Sequence, residues 1–232
     1  MRDSLLLELL EVRRDLQSSV QQQYVREWMP RFLKAPEVRE VSCYATAEEA
    51  TPSASVRGAS KVSTEVPSDM QPTHLLLYGL ASIEAARSPA LLKVQREVEL
   101  EAGIRRLVRK VYRRLAPPTV RDHQAPNPAP ALKVLMHQVP TEEEQEYNDF
   151  YGREHLGHVL QVAEYLWGVR YQAVDGPPNY LVCYGMMKPG FMTAEAYEKV
   201  RTPWAVRINV PRFNRLRGDF KLIGHAEGLT IT

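Results

Sequence analysis

Short apolar runs alternate with amphipathic stretches along the chain, and their order repeats. Strands are predicted at 5–12, 38–46, 73–80, 108–115, 131–139, 165–174, 179–187 and 217–224. Helices, with apolar side chains three and four positions apart, are predicted at 15–34, 83–101, 142–161 and 193–214. Each half of the chain therefore has the order β-α-β-β-α-β, which is that of a ferredoxin-like unit.

The two halves also resemble each other residue by residue. Sliding the chain by 127 residues places Tyr24–Leu33 over Tyr151–Leu160, and Tyr, Arg, Glu and Leu coincide. A shift of 106 places the Tyr-Gly pair at the end of the third strand, Tyr78-Gly79, over Tyr184-Gly185. The pattern predicts a duplicated unit.

A ferredoxin-like unit has both helices on one face of its sheet, so the other face needs a cover. The predicted fold is α+β, with two ferredoxin-like β-α-β-β-α-β repeats packed sheet to sheet as an intramolecular, pseudo-dimeric α+β barrel. The first repeat would span 1–116, with a mobile insertion at 47–72 that is rich in Ser, Ala, Pro and Glu. A Pro-rich linker at 117–130 would lead to the second repeat at 131–232.

Composition excludes several classes of protein. A net charge of +2 over 232 residues gives no reason to expect a nucleic-acid partner. No apolar run approaches the roughly 20 residues of a membrane span, and no signal peptide is evident, so a cytoplasmic protein without a membrane partner is expected. Cys43 and Cys183 lie in apolar runs and are predicted to be buried free thiols. The basic run 105–114 is expected to form an edge strand with charges on both faces.

Histidines and tyrosines are the candidate chemical groups. Tyr151, His155 and His158 share one helix surface, at spacings of four and three. His155 is the first candidate for a proton shuttle, because histidine titrates near neutrality; a histidine that packs against a neighbour is the structural alternative. His158 is expected to be solvent-exposed. His137 lies within an apolar strand and must find a polar partner, or line a cavity.

The sequence resembles the dimeric α+β barrel superfamily, and more closely its EthD-like members in tandem form. The resemblance rests on three motifs, which are Tyr151-x-x-x-His155, Trp167-x-x-Arg170-Tyr171 and the Tyr-Gly pair that ends each third strand. Thr73-His74 before an apolar strand is also similar to olivetolic acid cyclase-type polyketide cyclases, where this histidine lines the site. The halves are unequal, because Trp28 stands where the second half has His155, and Leu10 stands where it has His137.

The resemblance implies an enzyme that needs neither cofactor nor metal and that acts on an apolar, carbonyl-rich molecule of polyketide type. His155 would abstract a proton, Tyr151 or His137 would polarise the carbonyl, and the reaction would be a cyclisation, dehydration or isomerisation. The residues expected to contact the substrate are His74, Trp167, Arg170, Tyr171 and Tyr184. A cofactor-independent oxygenase, and a non-catalytic binding or scaffold protein, remain open, as does a homodimer of pseudo-dimers.

Overall fold

The fold is mixed α+β, as predicted from the order of elements. The computed structural model describes residues 2–47, 72–121, 125–190, 202–208 and 213–228. The strands are β1 (Ser4–Glu11), β2 (Val38–Thr46), β3 (His74–Leu80), β4 (Arg105–Arg114), β5 (Thr119–Val120), β6 (Ala131–Gln138), β7 (Tyr165–Ala173), β8 (Tyr180–Met186) and β9 (Phe213–Glu227). The α-helices are α1 (Gln17–Gln23), α2 (Met29–Phe32), α3 (Pro89–Ala102), α4 (Glu144–Phe150), α5 (Leu156–Val159) and α6 (Pro203–Ile208), and one-turn 3₁₀ helices are Arg14–Leu16, Glu84–Arg87 and Thr141–Glu143.

The strands form one antiparallel sheet that closes on itself. Their order is β4-β1-β3-β2-β9-β6-β8-β7-β5, and β4 also pairs with β7. The prediction that the basic run forms an edge strand is therefore wrong. β4 is paired with β1 on one side and with β7 on the other, so its charged side chains must lie on the two faces of a closed sheet.

The buried apolar side chains of the described residues form three clusters, one inside the closed sheet and one under the helices of each half. Successive leucines of β1 alternate between two of them: Leu5, Leu7 and Leu9 point into the barrel, while Leu6 and Leu10 face the first-half helices. A strand that is covered on both faces needs no polar alternation. This double burial explains why β1 reads as an unbroken apolar run.

The first helix differs from the continuous helix that was predicted at 15–34. It consists of the 3₁₀ turn, α1, a π-helical turn at Tyr24–Trp28 and α2. Pro30 does not end the helix, which continues through α2 to Phe32.

Two other helical predictions need correction. The helix predicted at 83–101 is divided at Ser88, whose Oγ accepts a hydrogen bond of 3.2 Å from Leu91 N and caps α3. The predicted helix 193–214 falls partly outside the described residues, and its last two positions are wrong. Phe213 and Asn214 already pair with β6, which makes β9 longer than the predicted strand 217–224.

The Pro-rich linker contributes to the barrel. Its residues Thr119 and Val120 form β5, a short strand that the sequence did not predict and that pairs with Gly168 and Trp167 of β7. Ala129 is fully buried within the barrel cluster. The predicted insertion at 47–72 lies almost wholly outside the described residues.

The remaining composition-based expectations concern thiols and membranes. Cys43 and Cys183 are both free and buried, as predicted, and burial raises the pKa of each thiol far above its ordinary value. Among the described residues, no helix combines the length and the apolar character that a membrane crossing requires.

Any side chain at Gly185 is expected to destabilise the protein, because it would collide with an indole ring. A Cβ at Gly185 would overlap Trp167, which is buried in the barrel cluster. We expect Gly185→Ala to lower the free energy of unfolding by about 1–3 kcal/mol, the usual cost of overpacking. The matched control is Gly157→Ala in α5, where nothing lies within 4 Å and a helical alanine should stabilise by about 0.5–1 kcal/mol. Urea unfolding measures both; equal stability of Gly185→Ala and the wild type would contradict the prediction.

Candidate active site

A π-helical turn places the first two candidate residues. Tyr151–His155 forms this turn between α4 and α5, in the same position as the π turn Tyr24–Trp28 of the first half. A π turn inserts one residue into the helix and rotates the residues that follow, and such turns are frequent at functional sites. Tyr151 and His155, four residues apart, contact each other, with ring centroids 4.8 Å apart and planes at 76°.

His137 has found the polar partner that its apolar strand demanded. Its side chain faces α4, is 4% exposed, and its Nδ1 lies 2.8 Å from the hydroxyl of Tyr147. The rings of His137 and Tyr151 are 6.2 Å apart. His137, Tyr151 and His155 therefore follow one another in a continuous row between the sheet and the helix.

His155 lies at the more open end of this row. Its ring is partly exposed and stacks on Phe150 at 4.7 Å and 27°. His158, one turn further along, is also partly exposed, and its Nδ1 lies 3.0 Å from the carbonyl oxygen of Glu154. Only His155 of these two contacts Tyr151, which separates their roles.

Arg170 supplies a buried positive charge to the same layer. It extends from β7, is 7% exposed, and donates from Nη2 to Asn148 Oδ1 at 2.5 Å. Its guanidinium lies 4.8 Å from the ring centroid of Tyr151 and 5.0 Å from that of Tyr147. Such cation–π contacts stabilise a buried cation. Its Nε is buried without a hydrogen-bond partner among the described residues.

Tyr184 is the last of the predicted site residues that the structure places in this layer. It belongs to the apolar cluster of Tyr147 and Tyr151, and burial raises its pKa well above the ordinary value. Its hydroxyl has no hydrogen-bond partner in the described part of the chain. A buried hydroxyl and a buried guanidinium Nε, both unsatisfied, are costly unless a further group binds them.

Trp167 and Tyr171 lie elsewhere, inside the barrel. Both line a small cavity at one end of it, with a volume of about 40 Å³. Trp167 Nε1 donates to Pro126 O at 3.1 Å, so the linker covers this end. The cavity is separated from His155 by the sheet, because alternate residues of β7 face opposite sides.

His74 lies under the helices of the first half and does not join the row. It is fully buried, with Nδ1 3.0 Å from Thr73 Oγ1 and Nε2 3.3 Å from Gln21 Nε2. Burial lowers the pKa of His74 to about 4, so the ring is neutral at physiological pH. The equivalent residue of the second half is Tyr180. His74 pairs with Leu10 in the first half, as Tyr180 pairs with His137 in the second.

Sequence reasoning missed three residues of this layer, namely Tyr147, Asn148 and Tyr180. Asn148 Nδ2 donates to the Tyr180 hydroxyl at 3.1 Å, as Gln21 contacts His74 in the first half. The shift of 127 residues pairs Gln21 with Asn148, so the sequence similarity of the two halves carried a signal for this contact.

A second polar cluster, also missed, lies under the first-half helices. Glu8 is 2% exposed, accepts a hydrogen bond of 2.8 Å from the Tyr78 hydroxyl, and has Arg106 Nε at 2.8 Å. Burial raises the pKa of Glu8, although Arg106 and Arg109 act in the opposite direction. Two arginines of the basic run therefore lie beside a buried carboxylate. The sequence did not indicate this cluster, because Glu8 is a single glutamate in a run of leucines.

Comparison of the sequence with family models and with curated proteins gives no match. Solved structures do match: an anthrone oxidase-like protein aligns with a TM-score of 0.58 at 10% identity, over 97% of this chain and 93% of that chain. A proposed monooxygenase from Fusobacterium nucleatum aligns at 0.55 and 9% identity, over 98% and 97%. A haem-bound DypB variant of Rhodococcus jostii aligns at 0.53 and 10%, over 98% and 94%. These similarities establish the fold, which is that of the ferredoxin-like α+β barrels.

A haem does not fit the described residues next to His137. The rings of Tyr147, Tyr151 and Tyr180 pack with centroids 4.7 Å apart in successive pairs, and His137 bonds Tyr147. Rings at contact distance leave no slot of porphyrin width beside this histidine.

Proposed function

We propose that the protein is an enzyme that transfers a proton at a carbon next to a carbonyl group of an apolar small molecule. The observation that carries this proposal is the row of His137, Tyr151 and His155, which one strand and one helix bring into contact. The fold alone does not require these two histidines, since the first half has Leu10 in place of His137 and Trp28 in place of His155. Polar groups that the packing does not need, in a buried layer, are candidates for function.

The roles follow from position. His155 is partly exposed and would abstract the proton. Tyr151 or His137 would donate a hydrogen bond to the carbonyl oxygen, on which negative charge develops. Arg170 Nε has no hydrogen-bond partner among the described residues, and it would bind the same oxygen as the carbonyl becomes an enolate. Asn148 would hold the guanidinium in place.

A carbon acid of polyketide type suits this arrangement. A carbon between two carbonyl groups, or next to an aromatic ketone, loses its proton readily to a neutral imidazole. The resulting carbanion can attack a second carbonyl of the same molecule, and loss of water then gives a cyclised product. If the proton returns to another carbon, the reaction is an isomerisation.

An oxygenase is a second candidate, and the fold neighbours favour it. The anthrone oxidase-like protein and the proposed monooxygenase share this fold. The first step is the same, since an enolate can pass electrons to dioxygen and form a hydroperoxide with a new C–O bond. Loss of water then breaks the O–O bond, which leaves one oxygen atom on the carbon as a carbonyl and releases the other as water. Dioxygen consumption separates this outcome from cyclisation.

A non-catalytic binding or scaffold role is the third candidate. The packed barrel favours it, because the end cavity of about 40 Å³ is far smaller than the several hundred Å³ of ordinary ligand pockets. The row at His155 lies outside the barrel, so this observation concerns the barrel interior alone.

The duplication belongs to the same proposal. We infer two ferredoxin-like repeats, at 1–116 and 131–232, joined by the linker at 117–130 and closed into one barrel. The strand orders β4-β1-β3-β2 and β9-β6-β8-β7 correspond position by position, which supports it. Association of two such chains stays a prediction.

Deuterium exchange tests the proposed first step. Anthrone and a linear β-triketone would each be incubated with the protein in D₂O, under nitrogen and under air, with loss of the acidic C–H signal followed by NMR. We expect exchange well above the buffer rate under nitrogen. Dioxygen uptake under air would identify an oxygenase, and a new cyclic product under nitrogen a cyclase. Exchange at the buffer rate with both compounds would favour the non-catalytic role.

A further inference from the structure

A serine, a histidine and a glutamate are aligned at the end of the barrel, outside the site described above. Ser42 of β2 pairs directly with His225 of β9 across the sheet. Ser42 Oγ lies 2.9 Å from His225 Nδ1, and His225 Nε2 lies 3.3 Å from Glu227 Oε1. With the ring proton on Nε2, the imidazole accepts from the serine hydroxyl and donates to the carboxylate.

Ser42 also faces a cavity. It lines the barrel-end cavity of about 40 Å³, together with the apolar Leu5 and Leu77 and the cationic Arg2. A single water needs roughly 10–15 Å³ measured in this way, so the space accommodates an acetyl-sized group. The position does not need a polar side chain for packing, because the shift of 127 residues pairs Ser42 with Val169, which packs inside the barrel.

We propose that Ser42, His225 and Glu227 form a nucleophilic site that accepts short acyl groups from activated esters. This is the arrangement that turns a weakly nucleophilic hydroxyl into a reactive one: a base within hydrogen-bond reach, and a third group that orients the base. Ser42 and His225 are the catalytic residues, and Glu227 is the positioning residue. The activity is separate from the proton transfer proposed for His155.

The reaction proceeds in two balanced steps. Ser42 Oγ attacks the ester carbonyl, its proton passes to His225 Nδ1, and the alcohol leaves after taking that proton, which gives an acyl-serine. Water then attacks the acyl-serine, gives its proton to His225, and releases the carboxylic acid as the proton returns to Ser42. Arg2, on the same cavity, donates from Nε to Glu40 Oε2 at 3.2 Å, and its other guanidinium N–H groups would stabilise the oxyanion.

Covalent labelling tests the assignment directly. The full chain would be treated with a small alkyl fluorophosphonate, the labelled peptide identified by mass spectrometry, and p-nitrophenyl acetate hydrolysis followed in parallel. We expect one label, on Ser42, and an esterase rate that falls at least about 100-fold in Ser42→Ala. Ser19→Ala is the matched control, because Ser19 is exposed and donates only to the carbonyl of Leu16.

Substitution of Glu227 gives an independent test of the proposed nucleophilic site. Its side chain is 62% exposed, so Glu227→Gln should not alter unfolding, yet it should slow the labelling of Ser42, and Glu227→Asp should restore part of the rate. Label on another residue, no label at all, or hydrolysis unchanged in Ser42→Ala would overturn the proposal. In that outcome the Ser42–His225 contact is a cross-strand hydrogen bond and no more.

Discussion

Replacing His155 by glutamine is expected to reduce catalysed proton exchange by about 100-fold to 10,000-fold, the usual contribution of a positioned general base. Glutamine keeps a polar side chain of similar reach but cannot carry a proton between substrate and solvent. Because the ring of His155 is partly exposed, the free energy of unfolding should change little. The decisive measurements are the exchange rate of an anthrone or β-triketone probe and a urea unfolding curve on the same sample.

His158 provides the matched control for this experiment. It lies on the same helical segment, is also partly exposed, and contacts a backbone carbonyl instead of Tyr151. His158→Gln should therefore exchange the probe at the wild-type rate. Equal losses in both variants would point to a general disturbance of the helix, and an unchanged rate in His155→Gln would remove His155 from the mechanism.

Apolar periodicity, together with the correspondence between the two halves of the sequence, was sufficient to predict most of the sheet. β1 was predicted at 5–12 and spans Ser4–Glu11, and β2 was predicted at its observed bounds. The length of β9 was missed because its pairing with both β2 and β6 is a long-range property of the closed sheet. For the same reason β4 looked like an edge strand, although β7 pairs with it.

The candidate site was predictable in part. Comparison of the two halves identified His155 and His137 as polar departures, and the spacing of four added Tyr151 on the same helix surface. The structure places the three side chains in one row. Trp167 was named with them but faces the barrel, because sequence alone does not say which face of β7 the helices cover. Glu8 was missed for a related reason: its partner Arg106 is distant in sequence and meets it only through the pairing of β1 with β4.

His74 should make the protein lose stability in mild acid. Its folded-state pKa is lowered to about 4 from an ordinary 6.5, because the buried ring cannot be solvated as a cation. As pH falls below 6.5 the unfolded chain binds a proton at this position and the folded chain does not, so the equilibrium shifts towards unfolding. The loss ends near pH 4, where the folded ring also becomes protonated, and amounts to about 3 kcal/mol for a shift of this size.

His74→Gln separates this contribution from that of the other titrating groups. Glutamine stays neutral throughout the range and can still contact Gln21 and Thr73, the two neighbours of the imidazole. Urea unfolding between pH 7 and pH 4 should show the wild type losing about 3 kcal/mol more than the variant. Parallel curves for the two proteins would mean that the imidazole is protonated in the folded state. Because His74 is buried and neutral, the variant should also exchange carbon-acid probes at the wild-type rate, which would assign His74 to the stability of the first half and leave the chemistry to the row at His155.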